Sequence, residues 1–184
     1  MAAAHTTAME ILYALQQFDH RLFARVFRQG ERRMIRPLAK ALSRSGDGYL
    51  HLLVPLVLWL LGAADIATFV ALLAASLACE RALYWLLKNS LRRRRPQAYL
   101  PAFRSIITAS DQFSFPSGHS SAAFLLATAL AVVYGGTVSA MYLWASCVAM
   151  SRVVLGVHFP GDTIAGALMG SGIALFTASL LNII

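Results

Sequence analysis

The segment SRVVLGVHFPGD, residues 151–162, decides how this chain folds. It places one arginine, one histidine and one aspartate at the junction of two long apolar segments, residues 138–157 and 162–182. Each apolar segment has the length of about 20 residues that a helix needs to cross a bilayer. A charged residue on such a helix is costly unless it serves a function. The segment therefore predicts two membrane helices that meet at a functional site.

Three more apolar segments precede this junction, at residues 49–63, 66–88 and 118–135. The chain is 58% hydrophobic and 13% charged, with a mean hydropathy of +0.63. Soluble domains contain about 25% charged residues, so water is the wrong solvent for most of this sequence. We expect an all-α fold, namely a polytopic transmembrane helical bundle with about five spans.

The N-terminal region has a different pattern, with apolar and charged residues at helical spacing over residues 8–29 and 31–44. Charges interrupt both segments too often for a membrane span, so we expect amphipathic helices that lie in the headgroup plane. The predicted division of the chain is an amphipathic interfacial segment, residues 1–46, followed by a transmembrane catalytic domain, residues 47–184.

Basic residues dominate the charge, with 16 Lys and Arg against 8 Asp and Glu and a net charge of +8. They concentrate between residues 21 and 44 and between residues 81 and 104. Because these clusters flank apolar helices and lack a soluble scaffold, they indicate a cytoplasmic rim or a headgroup-binding surface and not nucleic-acid binding. Within the second cluster, Arg92, Arg93 and Arg94 are interpreted as a basic flank of a membrane span.

A first polar motif follows the second apolar segment. Lys88 ends that segment, and Arg95 precedes Pro96, which biases Arg95 to an extended conformation. An ammonium group and a guanidinium fork can then approach one phosphate from different directions.

A second polar motif opens the third apolar segment. Ser117 is a good helix N-cap, and Gly118 lets backbone approach a ligand closely. The free N–H groups at a helix start bind anions, so this end is suited to phosphate oxygens. His119 follows directly and has a pKa suited to proton transfer.

The third motif is the junction itself. Asp162 lies four residues after His158, across a Phe-Pro-Gly turn. A carboxylate bonded to one ring nitrogen fixes the tautomer and leaves the other nitrogen free as a nucleophile. Asp162 can equally serve as the N-cap of the last helix, or do both. Arg152 lies on a membrane helix, where a charge indicates function.

The order of the spans gathers these motifs. The ends of the second and fourth spans and the starts of the third and fifth emerge on one side of the membrane. Five crossings therefore predict one cluster at a single face. Two histidines and an aspartate could ligate zinc, but three cations at the same place would repel a dication, so we expect no metal and no other cofactor.

Together the motifs resemble the signature of the type 2 phosphatidic acid phosphatase (PAP2) family: K-x6-RP at 88–96, PSGH at 116–119 and SR-x5-H-x3-D at 151–162. The resemblance implies a metal-independent phosphatase. His158 attacks phosphorus and forms a phosphohistidine, and Asp162 orients its ring.

The resemblance also assigns the remaining roles. His119 protonates the leaving oxygen and then activates water. The side chains of Lys88, Arg95 and Arg152, with the backbone of 117–119, stabilise the charge on the phosphoryl oxygens.

The apolar surroundings point to a phosphate carried by a membrane lipid. The resemblance suggests undecaprenyl diphosphate, phosphatidylglycerophosphate or phosphatidate as substrates of an integral membrane hydrolase. The alternatives are a lipid A phosphatase or a lipid-to-lipid phosphotransferase with the same site. A non-catalytic transporter or scaffold is a further alternative that the complete motifs disfavour, and the sequence gives no indication of an oligomeric state.

Two arguments about sidedness disagree. The distribution of Lys and Arg places the N-terminus and the site in the cytoplasm. The family resemblance favours a bacterial inner membrane with the site on the periplasmic side, which is the expectation we adopt.

Two further features predict helix packing. Glu80 lies inside an apolar segment, where a structural pairing is expected. Gly166 and Gly170 have the spacing of small residues at a tight contact between membrane helices.

Overall fold

The computed structural model describes residues 2–30, 34–100, 103–136 and 139–184, and within these ranges the chain forms eight helices and no strand. In chain order they are α1 (Ala2–Gly30), α2 (Ile35–Ser45), α3 (Leu50–Leu60), α4 (Ile66–Leu91), α5 (Pro96–Tyr99), α6 (Gly118–Tyr134), α7 (Ser139–Val154) and α8 (Pro160–Leu180). The expected all-α fold is confirmed. The predicted helix start at residue 31 and the predicted span start at residue 138 lie outside the described residues.

The helix bounds follow the five apolar segments closely. α4 and α6 differ from the predicted segments by three residues or fewer. α8 begins at Pro160, two residues before the predicted start, because the fixed φ of proline suits a first helical turn. α7 ends at Val154, since the chain turns at Gly156, whose φ of +79° favours glycine.

The polarity of the molecule is inverted relative to that of a soluble protein. Leu52, Trp85 and Leu168 have exposed fractions of 79%, 68% and 70%, whereas Ser76 and Glu80 are fully buried. Exposed apolar surface of this extent marks contact with a membrane or another protein. By length and composition α4 and α8 can each cross a membrane, and α3 and α6 are apolar but shorter. The count of five crossings stays a prediction.

The core of the bundle is formed by α4, α6 and α8. α8 packs along α6 more extensively than any other pair of helices does. Gly166 and Gly170 lie at this contact, where a Cβ on Gly170 would overlap the carbonyl oxygen of Ser121 and one on Gly166 that of Ser117. The predicted role of the two glycines in close helix packing is confirmed.

Glu80 has the structural pairing expected of it. Its buried carboxylate accepts two hydrogen bonds from the neighbouring Arg81, one of them from Nη2 at 2.6 Å. Arg81 also lies over the ring of Tyr84, at 4.6 Å from the ring centre.

The N-terminal helices pack against the end of the bundle where α7 meets α8. The first half of α1 exposes Met9, Ile11 and Leu15, and its second half buries Phe23 against Phe159 at 5.2 Å between ring centres. α2 packs on α7. Both helices therefore lie beside the junction at 151–162.

Two loops, one between α4 and α5 and one between α5 and α6, close the same end of the bundle. Arg94 and Phe113 form an isolated antiparallel bridge, and Ser114 N–H donates to the Arg93 carbonyl at 2.8 Å. Ile106 N–H donates to Leu155 at 2.9 Å, which fixes the loop between α5 and α6 to the junction between α7 and α8. All three polar motifs thus lie at one end of the molecule.

Candidate active site

His158 and Asp162 form the buried centre of the site. His158 lies in the turn between α7 and α8 with an exposed fraction of 2%, and Asp162 in the first turn of α8 is fully buried. The ring nitrogen Nδ1 of His158 lies 3.7 Å from Oδ2 of Asp162. This distance is longer than a hydrogen bond, and catalytic hydrogen bonds commonly tighten only when substrate binds.

The other ring nitrogen faces a cation. Nε2 of His158 lies 3.3 Å from Nη1 of Arg95. Burial lowers the pKa of His158 to about 4, and the charge of Arg95 acts in the same direction while Asp162 opposes it. The ring is therefore neutral at physiological pH, with Asp162 at one nitrogen and Arg95 at the other. A neutral imidazole in this orientation can act as a nucleophile.

The side chains of Lys88 and Arg95 are both buried. The Nη1 group of Arg95 donates to the carbonyl oxygen of Val157 at 2.5 Å, which ties the guanidinium to the residue before the histidine. Nζ of Lys88 lies 3.5 Å from the carbonyl oxygen of Pro116 and donates to the hydroxyl of Tyr84 at 2.6 Å. These contacts bring the first motif to the second and third motifs.

Arg152 completes the cationic side of the site from α7. It is buried, and its Nη1 group donates to the hydroxyl of Ser43 on α2 at 2.5 Å. Among the described residues its Nε group has no hydrogen-bond partner. A buried guanidinium with an unused donor has capacity left for an anion.

The start of α6 contributes the backbone of the second motif. Ser117 caps the helix, and its hydroxyl oxygen accepts a hydrogen bond from Ser120 Oγ at 3.0 Å. Ser117 N–H donates to the backbone oxygen of Asp162 at 3.0 Å, so α6 and α8 begin side by side. A Cβ on Gly118 would lie 2.9 Å from the Tyr84 ring, so the absence of a side chain there accommodates a neighbouring ring.

His119 is the second histidine of the site. Its Nε2 atom lies 2.7 Å from Oδ1 of Asp47, in the Gly-Asp-Gly segment between α2 and α3. Two cavities share this pair of residues. One, of about 300 Å³, is bordered by Lys40, Arg44 and Arg152, and the other, of about 590 Å³, extends between α3, α4 and α6 past His51 and Leu77.

The three motifs, which lie between residues 88 and 162 of the sequence, therefore form one cluster at this end of the bundle. The sequence also matches the family model of the PAP2 superfamily over residues 66–183. The chain belongs to the PAP2 superfamily.

Curated PAP2-type relatives have similar sequences. The chain is 34% identical over 97 residues to the lipid A 1-phosphatase of Rhizobium johnstonii, an alignment that covers 50% of this chain and 40% of the relative. It is 31% identical over 150 residues to the decaprenylphosphoryl-5-phosphoribose phosphatase of Mycobacterium tuberculosis, covering 77% of this chain and 78% of the relative. The chain thus spans about two fifths of the first relative's length and most of the second's.

A solved PAP2 structure has the same fold. The transmembrane PAP2-type phosphatidylglycerolphosphate phosphatase from Bacillus subtilis aligns with a TM-score of 0.72 over 93% of this chain and 88% of that chain, at 21% identity. The chain is accordingly a helical membrane protein of the PAP2 type.

Asp111 is a residue of this PAP2 site that sequence reasoning missed. Oδ2 of its carboxylate lies 2.7 Å from Nζ of Lys88 and accepts from the Tyr84 hydroxyl at 2.5 Å, and Oδ1 pairs with Arg95. Burial opposes ionisation of this group, but the hydrogen bonds from Lys88, Tyr84 and Arg95 outweigh it and hold the pKa of Asp111 well below its usual range. Asp111 is therefore an anion that pairs with both Lys88 and Arg95.

Arg93 corrects the interpretation of the basic run as a mere membrane flank. Its Nη1 group donates to Oδ1 of Asp162 at 2.6 Å, and its Nη2 group donates to Oδ2 of Asp19 at 2.6 Å. Burial alone would lower the pKa of Arg93, but Asp162 and Asp19 raise it above its ordinary value. Arg92, by contrast, is exposed, and its Nε group donates to the Asn89 carbonyl in the last turn of α4 at 2.8 Å.

One sequence signal could have found the missed residues. The chain has only eight acidic residues among 184, and four of them, Asp19, Asp47, Asp111 and Asp162, lie in or beside the PAP2 site. A carboxylate is costly in a chain of this hydrophobicity, so each one is a candidate for function.

Proposed function

We propose that this protein is an integral membrane lipid phosphatase that hydrolyses a terminal phosphate through a phosphohistidine on His158. The observation that carries the proposal is the orientation of the buried neutral His158 ring, with Nε2 at 3.3 Å from Arg95 and Nδ1 towards Asp162. The relatives' names support it, since both are named as phosphatases of a lipid-linked phosphate.

In the first step the lone pair of Nε2 on His158 forms a bond to phosphorus. The bond between phosphorus and the lipid oxygen breaks, and that oxygen takes a proton from His119. The positive charge that develops on the imidazole is stabilised by the Asp162 carboxylate through Nδ1–H. The products are the free lipid and a phosphohistidine.

In the second step His119 acts as a base. A water molecule gives its proton to His119 and attacks phosphorus, and the bond to Nε2 breaks. Inorganic phosphate leaves, and both histidines regain their starting protonation states. One histidine therefore serves as acid and then as base.

The three buried cations are assigned to the phosphoryl oxygens. Lys88, Arg95 and Arg152 stabilise charge as it develops in the transition state. They are joined by N–H groups at the start of α6 other than that of Ser117, which donates to Asp162. This fixed positive charge takes the place that a divalent metal has in other phosphatases, and it would repel such a metal. The reaction is therefore proposed to be metal-independent.

The substrate is proposed to enter with its apolar part on the membrane side. The 590 Å³ cavity extends from His119 between α3, α4 and α6, past Leu52 and Leu77. Its position suits a leaving group whose tail lies between helices and whose oxygen receives the proton of His119. Undecaprenyl diphosphate, phosphatidylglycerophosphate and phosphatidate fit this description. We place the protein in a bacterial inner membrane with the site on the periplasmic side.

A second candidate is a lipid A phosphatase or a lipid phosphotransferase. The similarity to a relative named lipid A 1-phosphatase favours it. The same phosphohistidine serves a transferase if a lipid acceptor replaces water in the second step. Appearance of labelled phosphate on a second lipid, and not as free phosphate, identifies that reaction.

The decisive test is replacement of the nucleophile. We expect H158A to abolish phosphate release and the acid-labile phosphoenzyme, because no other group forms the bond to phosphorus. The variant should still insert and purify as the wild type does. Phosphate release by H158A at the wild-type rate would show that His158 is not the nucleophile.

The substrate class is tested by a panel. Phosphate release from undecaprenyl diphosphate, phosphatidylglycerophosphate, phosphatidate and lipid A is compared in the presence of EDTA. We expect at least one lipid to be hydrolysed at an undiminished rate in EDTA. Activity that depends strictly on an added divalent cation contradicts the mechanism.

A further inference from the structure

The orientation of Asp162 is set by three donors other than the histidine. Oδ1 accepts from Arg93 at 2.6 Å, and Oδ2 accepts from Ser114 Oγ at 2.5 Å and from Phe159 N–H at 2.8 Å. A fully buried carboxylate needs such donors to remain charged. The face that Asp162 turns towards the His158 ring therefore depends on where these donors are held.

Of these donors, Arg93 is the one fixed by a distant element. Its Nη2 group donates to Asp19 of α1 at 2.6 Å, and its guanidinium lies 4.6 Å from the centre of the Phe159 ring. One planar fork thus joins two carboxylates through two separate nitrogen atoms, a geometry that the single nitrogen of a lysine does not reproduce. The side chains of Arg93 and Asp19 are 27% and 13% exposed, so solvent screens this ion pair only in part.

α1 also touches the turn that separates the nucleophile from its carboxylate. Oδ1 of Asp19 accepts from the N–H of Gly161 at 2.8 Å, and a Cβ on Gly161 would lie 3.0 Å from Oδ2 of Asp19. The rings of His20 and Phe23 pack on Phe159 at 4.9 and 5.2 Å between centres. The turn is therefore held against α1 by a hydrogen bond and by ring packing.

From these contacts we infer that Asp19 and Arg93 are positioning residues for phosphoryl transfer, and that α1 belongs to the catalytic apparatus. α1 fixes Arg93, Arg93 fixes Asp162, and Asp162 fixes the ring of His158. This rests on the proposed function, since it takes His158 as the nucleophile. Asp19 reaches Asp162 only through the guanidinium of Arg93. We therefore expect Asp19 and Arg93 to affect the rate of the chemical step and not substrate binding.

The test compares four purified variants in lipid nanodiscs. D19N and R93Q remove the two members of the chain of contacts, and E10Q and R92Q are matched controls at exposed positions of the same two segments. We expect D19N and R93Q to lower kcat and the single-turnover rate of phosphoenzyme formation by about tenfold to a hundredfold. KM should stay within about twofold of wild type, and the controls should match wild type in both constants.

Two more variants separate positioning from mere stability. R93K keeps the charge but not the fork, so it should remain impaired although its thermal unfolding is close to that of wild type. The double variant D19N/R93Q should be no slower than R93Q, because both residues act through one contact to Asp162. If R93Q does not fold, the kinetic constants of D19N and R93K test the positioning roles in its place.

The outcomes are separable from failure of the proposed function. A wild type without phosphatase activity, or an H158A variant as active as wild type, refutes the function itself. An active wild type with D19N and R93K as fast as E10Q and R92Q refutes the positioning roles. A raised KM at unchanged kcat, or additive losses in the double variant, refutes them as well.

Discussion

At the scale of single residues, the anionic groups of the site are as informative as the cations. Asp111 pairs with Lys88 and Arg95, two of the groups assigned to the phosphate. A phosphate that binds these cations has to share them with a carboxylate already in place. Asp111 therefore orients the two cations, and its negative charge also weakens their attraction for a second anion.

We predict that D111N binds inorganic phosphate more tightly than wild type. Removal of one negative charge beside two cations should lower the inhibition constant of phosphate by roughly fivefold, the ratio that corresponds to about 1 kcal/mol. The measurement is competitive inhibition of lipid hydrolysis by phosphate. S110A, at a neighbouring loop position that carries no charge, serves as the control, and weaker inhibition of D111N contradicts the prediction.

The second prediction at this scale concerns His158, whose pKa burial lowers to about 4. A lowered pKa means that the neutral ring persists as the pH falls and is lost only near this value. In ¹⁵N-histidine NMR, the resonance that disappears in an H158Q variant should titrate with a midpoint near 4. A midpoint near 6.5, the ordinary value for histidine, would show that the ring is not desolvated.

The sequence predicted the residues of the site that lie in compact motifs. His158 and Asp162 are four residues apart, and Ser117 and His119 open one helix, so local spacing alone places them. Asp19, Asp47 and Arg93 could not be placed in this way. Their partners lie between 69 and 142 residues away in the chain, and only the packing of α1, α3 and the two loops brings them together.

At the scale of helices, the contact between α6 and α8 positions both histidine motifs. Gly166 and Gly170 let α8 approach the backbone of Ser117 and Ser121. A side chain at either position would overlap these carbonyl oxygens and push α6 away from α8. The start of α6 would then move away from Asp162, whose carbonyl accepts from Ser117 N–H at 3.0 Å. Helix packing and the geometry of the site are therefore not independent.

We predict that G170A lowers both stability and activity. Overlap of the new methyl group with the Ser121 carbonyl should cost about 1–3 kcal/mol of the free energy of unfolding. G172A is the matched control, because a Cβ there meets nothing within 4 Å and alanine favours a helix by about 1 kcal/mol. Thermal unfolding in detergent should show a lower transition for G170A and an equal or higher one for G172A. The opposite order refutes the packing argument.

Helix bounds were predictable for a physical reason. The length and apolarity of a segment are enough to predict a membrane helix. For this reason α4, α6 and α8 begin and end close to the predicted residues. The loop between α5 and α6 has no such signal. Its conformation depends on contacts such as the bridge between Arg94 and Phe113, which no local pattern specifies.

At the scale of the whole molecule, the site and residues 135–136 lie at opposite ends of α6. The two ends of the bundle should therefore face opposite sides of the membrane. The basic residues at the site end favour the cytoplasm by the positive-inside rule. Several of these basic residues form ion pairs with carboxylates of the site. Their number therefore reflects the chemistry of the site as well as the orientation of the protein in the membrane.

We predict that cysteine labelling in intact cells places the site end outside. In a background without Cys79 and Cys147, an impermeant maleimide should label A98C at the site end and leave G136C at the other end unlabelled until the membrane is opened. Both positions are exposed, so reactivity reports sidedness and not burial. Labelling of G136C alone in intact cells reverses the proposed orientation.

The outward-facing leucines and aromatics also determine what kind of particle this protein forms after extraction. A surface that exposes Leu52, Trp85 and Leu168 binds a belt of detergent, and the belt migrates with the protein. The 20.0 kDa chain then travels as a much heavier mixed micelle. A monomer judged by elution volume alone will pass for an oligomer, so the stoichiometry has to be read from a method that weighs protein and detergent separately.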